Sequence, residues 1–330
     1  MSFSSRLLVP LLAAWSLSGI GATETENLGL RLLPAAQPPA LDGTLKGWDF
    51  SGGIFACGDV ENQRTNFGTW MYAMYDAQNL YLLAHFIDPT PLNNPEQVKA
   101  DYGFAGDCLQ FRIVAGAGTD ADKGRGSHWT CWQGRGGKHV MDVQYGIKFD
   151  QGGMKDAQAQ GAKQAFAKDA DGGGYVQVMA IPWALIGPKD WTPKSGDSMR
   201  FTIEPNFTIG TNGRLTNKDI FASDRTPDRV FTFMSNQSWG AATFAKSGTV
   251  EPSPVRLSDR REFAVALVDG QPKVDWTGLI KQTELAGHKP ITFEMPFDGY
   301  ISLNLFAADG SVARQLLNTA FYTKGKHEMK

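Results

Sequence analysis

Along most of the chain apolar residues recur at every second position in short runs, and Gly, Asp, Asn and Pro punctuate the runs. Alternation of this kind sends successive side chains to opposite faces of a strand, so each run also says which residues look inward. Strands are predicted over residues 71–75, 80–86, 108–113, 141–149, 175–181, 199–204 and 230–233. In Cys108 to Ile113 the two faces differ in chemistry: Leu109, Phe111 and Ile113 share one, while Cys108, Gln110 and Arg112 share the other. The first set suits a core, and the second is a row of hydrogen-bonding groups. Seven or more such strands separated by turn signals predict an all-β fold, an antiparallel β-sandwich of jelly-roll or immunoglobulin-like type. The Ala-, Gln- and Lys-rich stretch from Met154 to Lys168 has no apolar stripe and reads as a loop or a marginal surface helix.

Composition then divides the chain. Residues 247–260 open with Ser247-Gly248-Thr249-Val250-Glu251-Pro252-Ser253-Pro254, a Pro-, Gly- and Ser-rich run expected of a linker. It separates a main domain, 23–246, from a second, smaller β-sandwich domain, 261–330. In the latter, strands are predicted over 263–268, 291–295, 300–306 and 312–317, with a turn signal at Ala308-Asp309-Gly310-Ser311. The N-terminus carries Arg6, the apolar run Leu7 to Trp15 and small residues ending at Ala22, which is the layout of a secretory signal peptide over 1–22. The apolar run is shorter than the roughly 20 residues a bilayer span needs, and no later segment is longer, so no membrane span is expected in the mature chain.

The 330 residues carry a formal net charge of −2 and 42 % apolar residues, which points away from disorder and from a nucleic-acid footprint. Cys57, Cys108 and Cys131 are an odd number for an exported chain and allow one bridge at most; Cys108, inside a strand pattern, reads as a buried free thiol. No Gly-x-Ser-x-Gly elbow, phosphate-binding Gly loop or distinctive carboxylate pair is found, so a non-catalytic protein is expected. Asp76, Asp88 and Asp107 lie beside turns, where Asp caps backbone amides. No cofactor is expected, although abundant carboxylates leave room for a structural calcium.

An ordered set of segments resembles carbohydrate-binding module family 9 and its wider DOMON-like relatives. It comprises Leu41-Asp42-Gly43-Thr44-Leu45 with Trp48, Tyr75-Asp76 with Asn79-Leu80-Tyr81, Gly106-Asp107 before Leu109-Gln110-Phe111, Tyr175 to Ile181 before Pro182-Trp183, and Gly196-Asp197 before Phe201. The resemblance covers roughly residues 35–246 and implies bacterial export to the cell surface, the periplasm or the medium. It implies a polysaccharide or oligosaccharide as partner, with a sugar ring clamped between aromatics at Phe104 and Trp239. Asn236 and Gln110 would then bind its hydroxyls, Gln110 standing where the family has glutamate and Phe104 where it has tryptophan. Arg112 shares the polar strand face, and the Gly-rich segment from Gly116 to Lys138 is expected to offer Trp129 and Trp132 from a loop as further stacking groups.

The C-terminal segment resembles the immunoglobulin-like domain of the flagellar hook-capping type through Ile291-Thr292-Phe293, Gly299-Tyr300-Ile301, Asp309-Gly310, Val312 with Arg314 and Leu316, and Gly325-Lys326-His327. That family continues into a Trp-Asp-Gly turn, which implies a partial module here and leaves room for a catalytic domain in a longer protein. Two alternatives stand beside sugar binding. One is a heme-binding DOMON-type electron-transfer domain using Met71, Met74, Met141 or Met179 in strands. The other is a structural module of a larger secreted enzyme or adhesin.

Overall fold

The computed structural model describes residues 23–96, 103–116, 125–145, 155–209, 213–216, 220–221, 236, 239–279, 291–306 and 312–329. The expected signal peptide, the strand expected over 230–233, the end of the one expected over 141–149 and the turn at 308–311 lie outside these residues. Among the described residues the protein is nearly all β, and no helix is long and apolar enough to cross a membrane.

The N-terminal strands are β1 (Thr25–Asn27), β2 (Leu30–Pro34) and β3 (Ile54–Ala56), followed by the hairpin β4 (Gly68–Tyr75) and β5 (Asn79–Ile87). Next come β6 (Cys108–Ala115), β7 (Arg125–Gln133), β8 (His139–Tyr145), β9 (Lys155–Asp156), β10 (Lys163–Lys168) and β11 (Gly174–Pro182). The main body ends with β12 (Ser198–Ile209), β13 (Gly213–Thr216), β14 (Ile220–Phe221) and β15 (Gly240–Phe244). One large sheet runs in the order β10-β11-β5-β4-β2-β15-β12-β6-β7-β8-β9, mostly antiparallel. It curls on itself until its ends meet: Gln164 of β10 donates from Nε2 to Val140 O of β8 over 2.8 Å.

Alternation explains the curl. Met71 and Ala73 of β4 and Leu80, Leu82 and Phe86 of β5 point inward against Leu109, Phe111, Ile113, Trp129 and Ile203 from the opposite half, forming the central core. The other face of β4 and β5 is also apolar, with Tyr72, Met74, Tyr81 and Leu83, and it is covered by Trp48 and Phe50 from the segment between β2 and β3. A strand buried on both faces reads as continuously hydrophobic, as these two do. The β4–β5 turn is fixed by Asp76, whose carboxylate accepts Gln78 N, Asn79 N and the Tyr81 hydroxyl at 2.8, 2.7 and 2.6 Å.

Two expectations need correction. Residues 154–168 are neither loop nor helix where described: β9, a 3₁₀ turn Gln158–Gln160 and β10 carry the chain, and β10 pairs antiparallel with β11 from Lys163↔Ala180 to Lys168↔Tyr175. The open edge of β11 supplies a ladder that outweighs a weak local preference. Residues 247–260 are not a free linker. Asp49 accepts Thr249 N at 2.9 Å, Arg31 NH1 donates to Glu251 O at 2.6 Å, and Val250 N donates to Ser51 Oγ at 2.8 Å. Strand β16 (Val255–Leu257) then pairs antiparallel with β1 and with β17 (Glu262–Phe263). Val255, Leu257 and Phe263 pack on Phe55, Cys57 and Val60 in a third apolar cluster.

The remaining strands form antiparallel pairs: β18 (Val265–Val268) with β19 (Gln271–Val274), β20 (Ile291–Met295) with β23 (Gly325–Met329), and β21 (Gly299–Phe306) with β22 (Val312–Tyr322). All four strands expected beyond the linker are present, that over 263–268 divided between β17 and β18.

Candidate functional site

The register of β12, β6, β7 and β8 builds a largely buried polar layer on the face turned away from the central core. Glu204, Gln110, Thr130 and Asp142 follow one another across the four strands, and Thr202, Arg112, His128 and Gln144 form the next row. Asn206 stands beside Cys108, and Trp132 opposite Val140, two residues along. The intervening residues Ile203, Phe111, Trp129 and Val143 lie in the central core, so the alternation read from β6 holds across the whole sheet.

These side chains bind one another. Arg112 NH2 meets Glu204 Oε2 at 2.8 Å with both side chains fully buried. Gln110 Nε2 lies 3.1 Å from His128 Nε2, and Asn206 Nδ2 donates to Gln110 Oε1 at 3.3 Å and to Glu204 O at 3.0 Å. A buried ion pair holds only where geometry is good, and here it fixes the guanidinium and the carboxylate in one arrangement. Among the buried polar atoms on or beside this face, Thr202 Oγ1, Trp132 Nε1 and Asn236 Nδ2 have no hydrogen-bond partner.

Aromatic groups gather at the same face. Trp132 packs against Gly103, where a Cβ would come within 2.0 Å of the indole. Gly103 opens the 3₁₀ turn Gly103–Ala105 that carries half-buried Phe104, so Phe104 and Trp132 are neighbours. Gly240 pairs with the core residue Phe201, which places Trp239, one position earlier, on the polar side next to Thr202. Trp239 N donates to Asn236 O at 3.2 Å, and Trp239 O accepts from Arg200 NH1 at 3.0 Å.

Of the residues expected at the site, Phe104, Gln110, Arg112, Trp132, Asn236 and Trp239 come to this face or its rim. Trp129 does not. It stacks on Phe111 in the core, ring centroids 5.6 Å apart and planes within 6°, and its Nε1 donates to Ser127 Oγ at 2.9 Å. Neither tryptophan lies in a loop: both belong to β7, whose odd-numbered residues near the centre face inward and whose even-numbered ones face the polar side. Sequence reasoning missed Glu204, Thr202, Asn206 and His128. The polar alternates of the strand predicted over 199–204 were the available signal for Thr202 and Glu204.

Asp107, at the start of β6, anchors this end of the sheet. Its Oδ2 accepts Asn93 N at 2.6 Å and its Oδ1 accepts Thr208 N at 2.7 Å. Asp88 is fully buried beside it, with Oδ1 taken by Thr90 N at 2.8 Å. Burial first, then the Asp107 charge, push the Asp88 carboxyl up to about 7. Burial raises Asp107 as well. A carboxyl raised in the folded state contributes stability that is complete below its unfolded value of about 3.9 and is lost as pH rises through about 7. Asp88→Asn is therefore expected to raise the melting temperature more at pH 8 than at pH 5 and to leave it nearly unchanged only below about pH 4; thermal denaturation across that range checks this.

Cys57, Cys108 and Cys131 are all unbridged and buried. Leu109 pairs with Cys131, so Cys108 and Cys131 face opposite sides of the sheet. Met71, Met141 and Met179 fill the central core and Met74 the outer apolar layer. Asp169 contacts His85 Nε2 at 2.8 Å, and Asp171 accepts Gly173 N at 2.8 Å, so this acidic run forms a turn.

No family model and no curated protein matches the sequence. Among solved structures, the chain is similar to a carbohydrate-binding module of family 9 from Caldicellulosiruptor kristjanssonii in complex with glucose. The identity is 16 % and the TM-score 0.42, over 67 % of this chain and 100 % of that one. For the module from that organism in complex with cellotriose the identity is 15 % and the TM-score 0.43, over 68 % of this chain and 98 % of that one.

Proposed function

We propose that this is an exported, non-catalytic carbohydrate-binding protein that holds a sugar on the polar face of β12, β6, β7 and β8. The observation that carries the reading is the juxtaposition of unsatisfied polar groups with aromatic rings. Thr202 Oγ1, Trp132 Nε1 and Asn236 Nδ2 are buried without partners, beside Trp132, Trp239 and Phe104. An unpaired buried polar atom costs roughly 1–3 kcal/mol, and a bound hydroxyl removes that cost. A pyranose also presents a face of C–H bonds to an aromatic plane, while its hydroxyls need directional partners. In this reading Trp132, Trp239 and Phe104 form the apolar walls. Gln110, Arg112 and Asn236 bind hydroxyls, helped by Thr202, and Glu204 holds Arg112 in position.

Calorimetric titration of the mature chain against a panel of soluble glycans, glucose and cellotriose included, tests this. Saturable binding is expected, with Thr202→Val and Asn236→Ala each weakening it by about 10-fold, the value of one hydrogen bond. A folded protein that binds no glycan, or variants that bind as tightly as the parent, would defeat the proposal.

A further inference from the structure

Gln110, 2 % exposed, sits between two polar partners in the buried layer. Asn206 Nδ2 donates to its Oε1 at 3.3 Å, and its own Nε2 lies 3.1 Å from His128 Nε2. One fixed point decides which atom donates at each contact. Asn206 Nδ2 also donates to Glu204 O at 3.0 Å, and a main-chain carbonyl can only accept. The Asn206 amide nitrogen is therefore pinned, the Gln110 atom facing it is the oxygen, and the Gln110 nitrogen faces His128. A ring nitrogen that meets an amide donor has to accept, so His128 Nε2 carries no proton and the imidazole is neutral, protonated on Nδ1. These contacts use one N–H and one lone pair of Gln110. A second N–H and a second lone pair remain, the complementary pair that a sugar hydroxyl, both donor and acceptor, requires.

Resting on the sugar-binding reading above, we propose that His128 is a positioning residue of that site: by accepting the Gln110 amide it fixes which Gln110 atoms meet the sugar, and protonation of its Nε2 in acid releases the glycan. When Nε2 takes up a proton, two donors face each other at 3.1 Å. Turning the Gln110 amide over relieves that contact but sets its NH2 against the Asn206 NH2, which Glu204 O holds in place. Either arrangement leaves a buried donor without an acceptor. In the second, the sugar also meets a Gln110 whose N–H and lone pair have changed places.

Among the described residues, charged and titratable groups surround His128 from four strands. Arg112 stands opposite it on β6 and is paired with Glu204 of β12. On β8 the residue opposite is the neutral Gln144, with Asp142 in the neighbouring row and Asp156 of β9 beyond it. Arg200, one row further along β12, donates to Trp239 O, and the Cys108 thiol lies beyond Gln110 on β6. Arg112 opposes a second cation, whereas Glu204 and Asp142 favour one.

The first measurement needs no sugar. Nitrogen–proton correlation spectra of isotope-labelled histidine side chains at pH 8 are expected to show His128 with its proton on Nδ1 and none on Nε2. Its signal is identified by its absence from His128→Gln or, should that variant not fold, by replacing His85, His139, His288 and His327 in turn. The second is calorimetric titration against the same panel of soluble glycans at pH 8 and pH 5, with tryptophan fluorescence reporting an intact fold at both. Affinity is expected to fall by at least about 10-fold at pH 5, the value of one hydrogen bond, and over the range in which the His128 signal titrates. Glutamine places an oxygen acceptor where Nε2 stands and does not titrate, so in His128→Gln this fall is expected to be absent, which also separates His128 from Asp88. His128→Leu, with no acceptor, is expected to bind about 10-fold more weakly than His128→Gln at pH 8. A proton on Nε2, an affinity equal at both pH values, or a fall of the same size in His128→Gln overturns the switch and leaves sugar binding standing. A folded parent that binds no glycan at either pH ends both readings.

Discussion

Glu204→Ala is expected to lower stability by about 3–5 kcal/mol, because it strands the Arg112 guanidinium in a fully buried place without its carboxylate. Chemical denaturation monitored by tryptophan fluorescence reads this directly. Replacing both partners, Arg112→Met with Glu204→Leu, is expected to recover most of the loss, since an apolar pair leaves no charge stranded. A double variant as unstable as the single one would mean that the pair is not what Glu204 contributes. Sugar binding separates the two roles: the double variant is expected to fold and yet to bind glycan at least about 10-fold more weakly, because Arg112, one of the groups that face the hydroxyls, is gone.

Trp129→Ala is expected to cost a similar amount, about 3–5 kcal/mol, for a different reason: it opens a cavity beneath Phe111 in the core. Here the affinity of the folded fraction for sugar should hold within about threefold, since the side chain lies on the opposite face of β7 from Trp132. Titration at low temperature, where the variant is still folded, is the measurement. Loss of binding at unchanged fold would put Trp129 back among the contact residues and would contradict the alternation of β7.

The main body was legible because period-two alternation survives in β4, β5, β6, β11 and β12, all predicted from the sequence. The polar face was legible in part for the same reason, since Gln110 and Arg112 sit between three core residues. β7 was not, because glycines at Gly116, Gly124, Gly126, Gly134, Gly136 and Gly137 outweighed the pattern of the residues between them. Only some of these serve a turn: Gly137, at φ +83°, needs the left-handed region between β7 and β8, whereas Gly126 stands inside β7. The connector at 247–260 was misread for a physical reason too. Its fixation depends on Asp49 and Ser51, about 200 residues away along the chain, and no local composition reports such a partner. The buried Glu204 was missed because a carboxylate is ordinarily exposed, and only the register with β6 shows the arginine that makes burial tolerable.

The meeting of β8 and β10 has a bearing on how the protein behaves in crowded solution. The first and last strands of a long sheet offer unpaired amides and carbonyls, which recruit strands from other molecules and seed aggregates. In this protein the two ends belong to one continuous segment: β9 adds to β8, the chain turns through Gln158–Gln160, and β10 adds to β11. Among the described residues, the segment that forms both borders therefore also brings them together, through the bond from Gln164 to Val140.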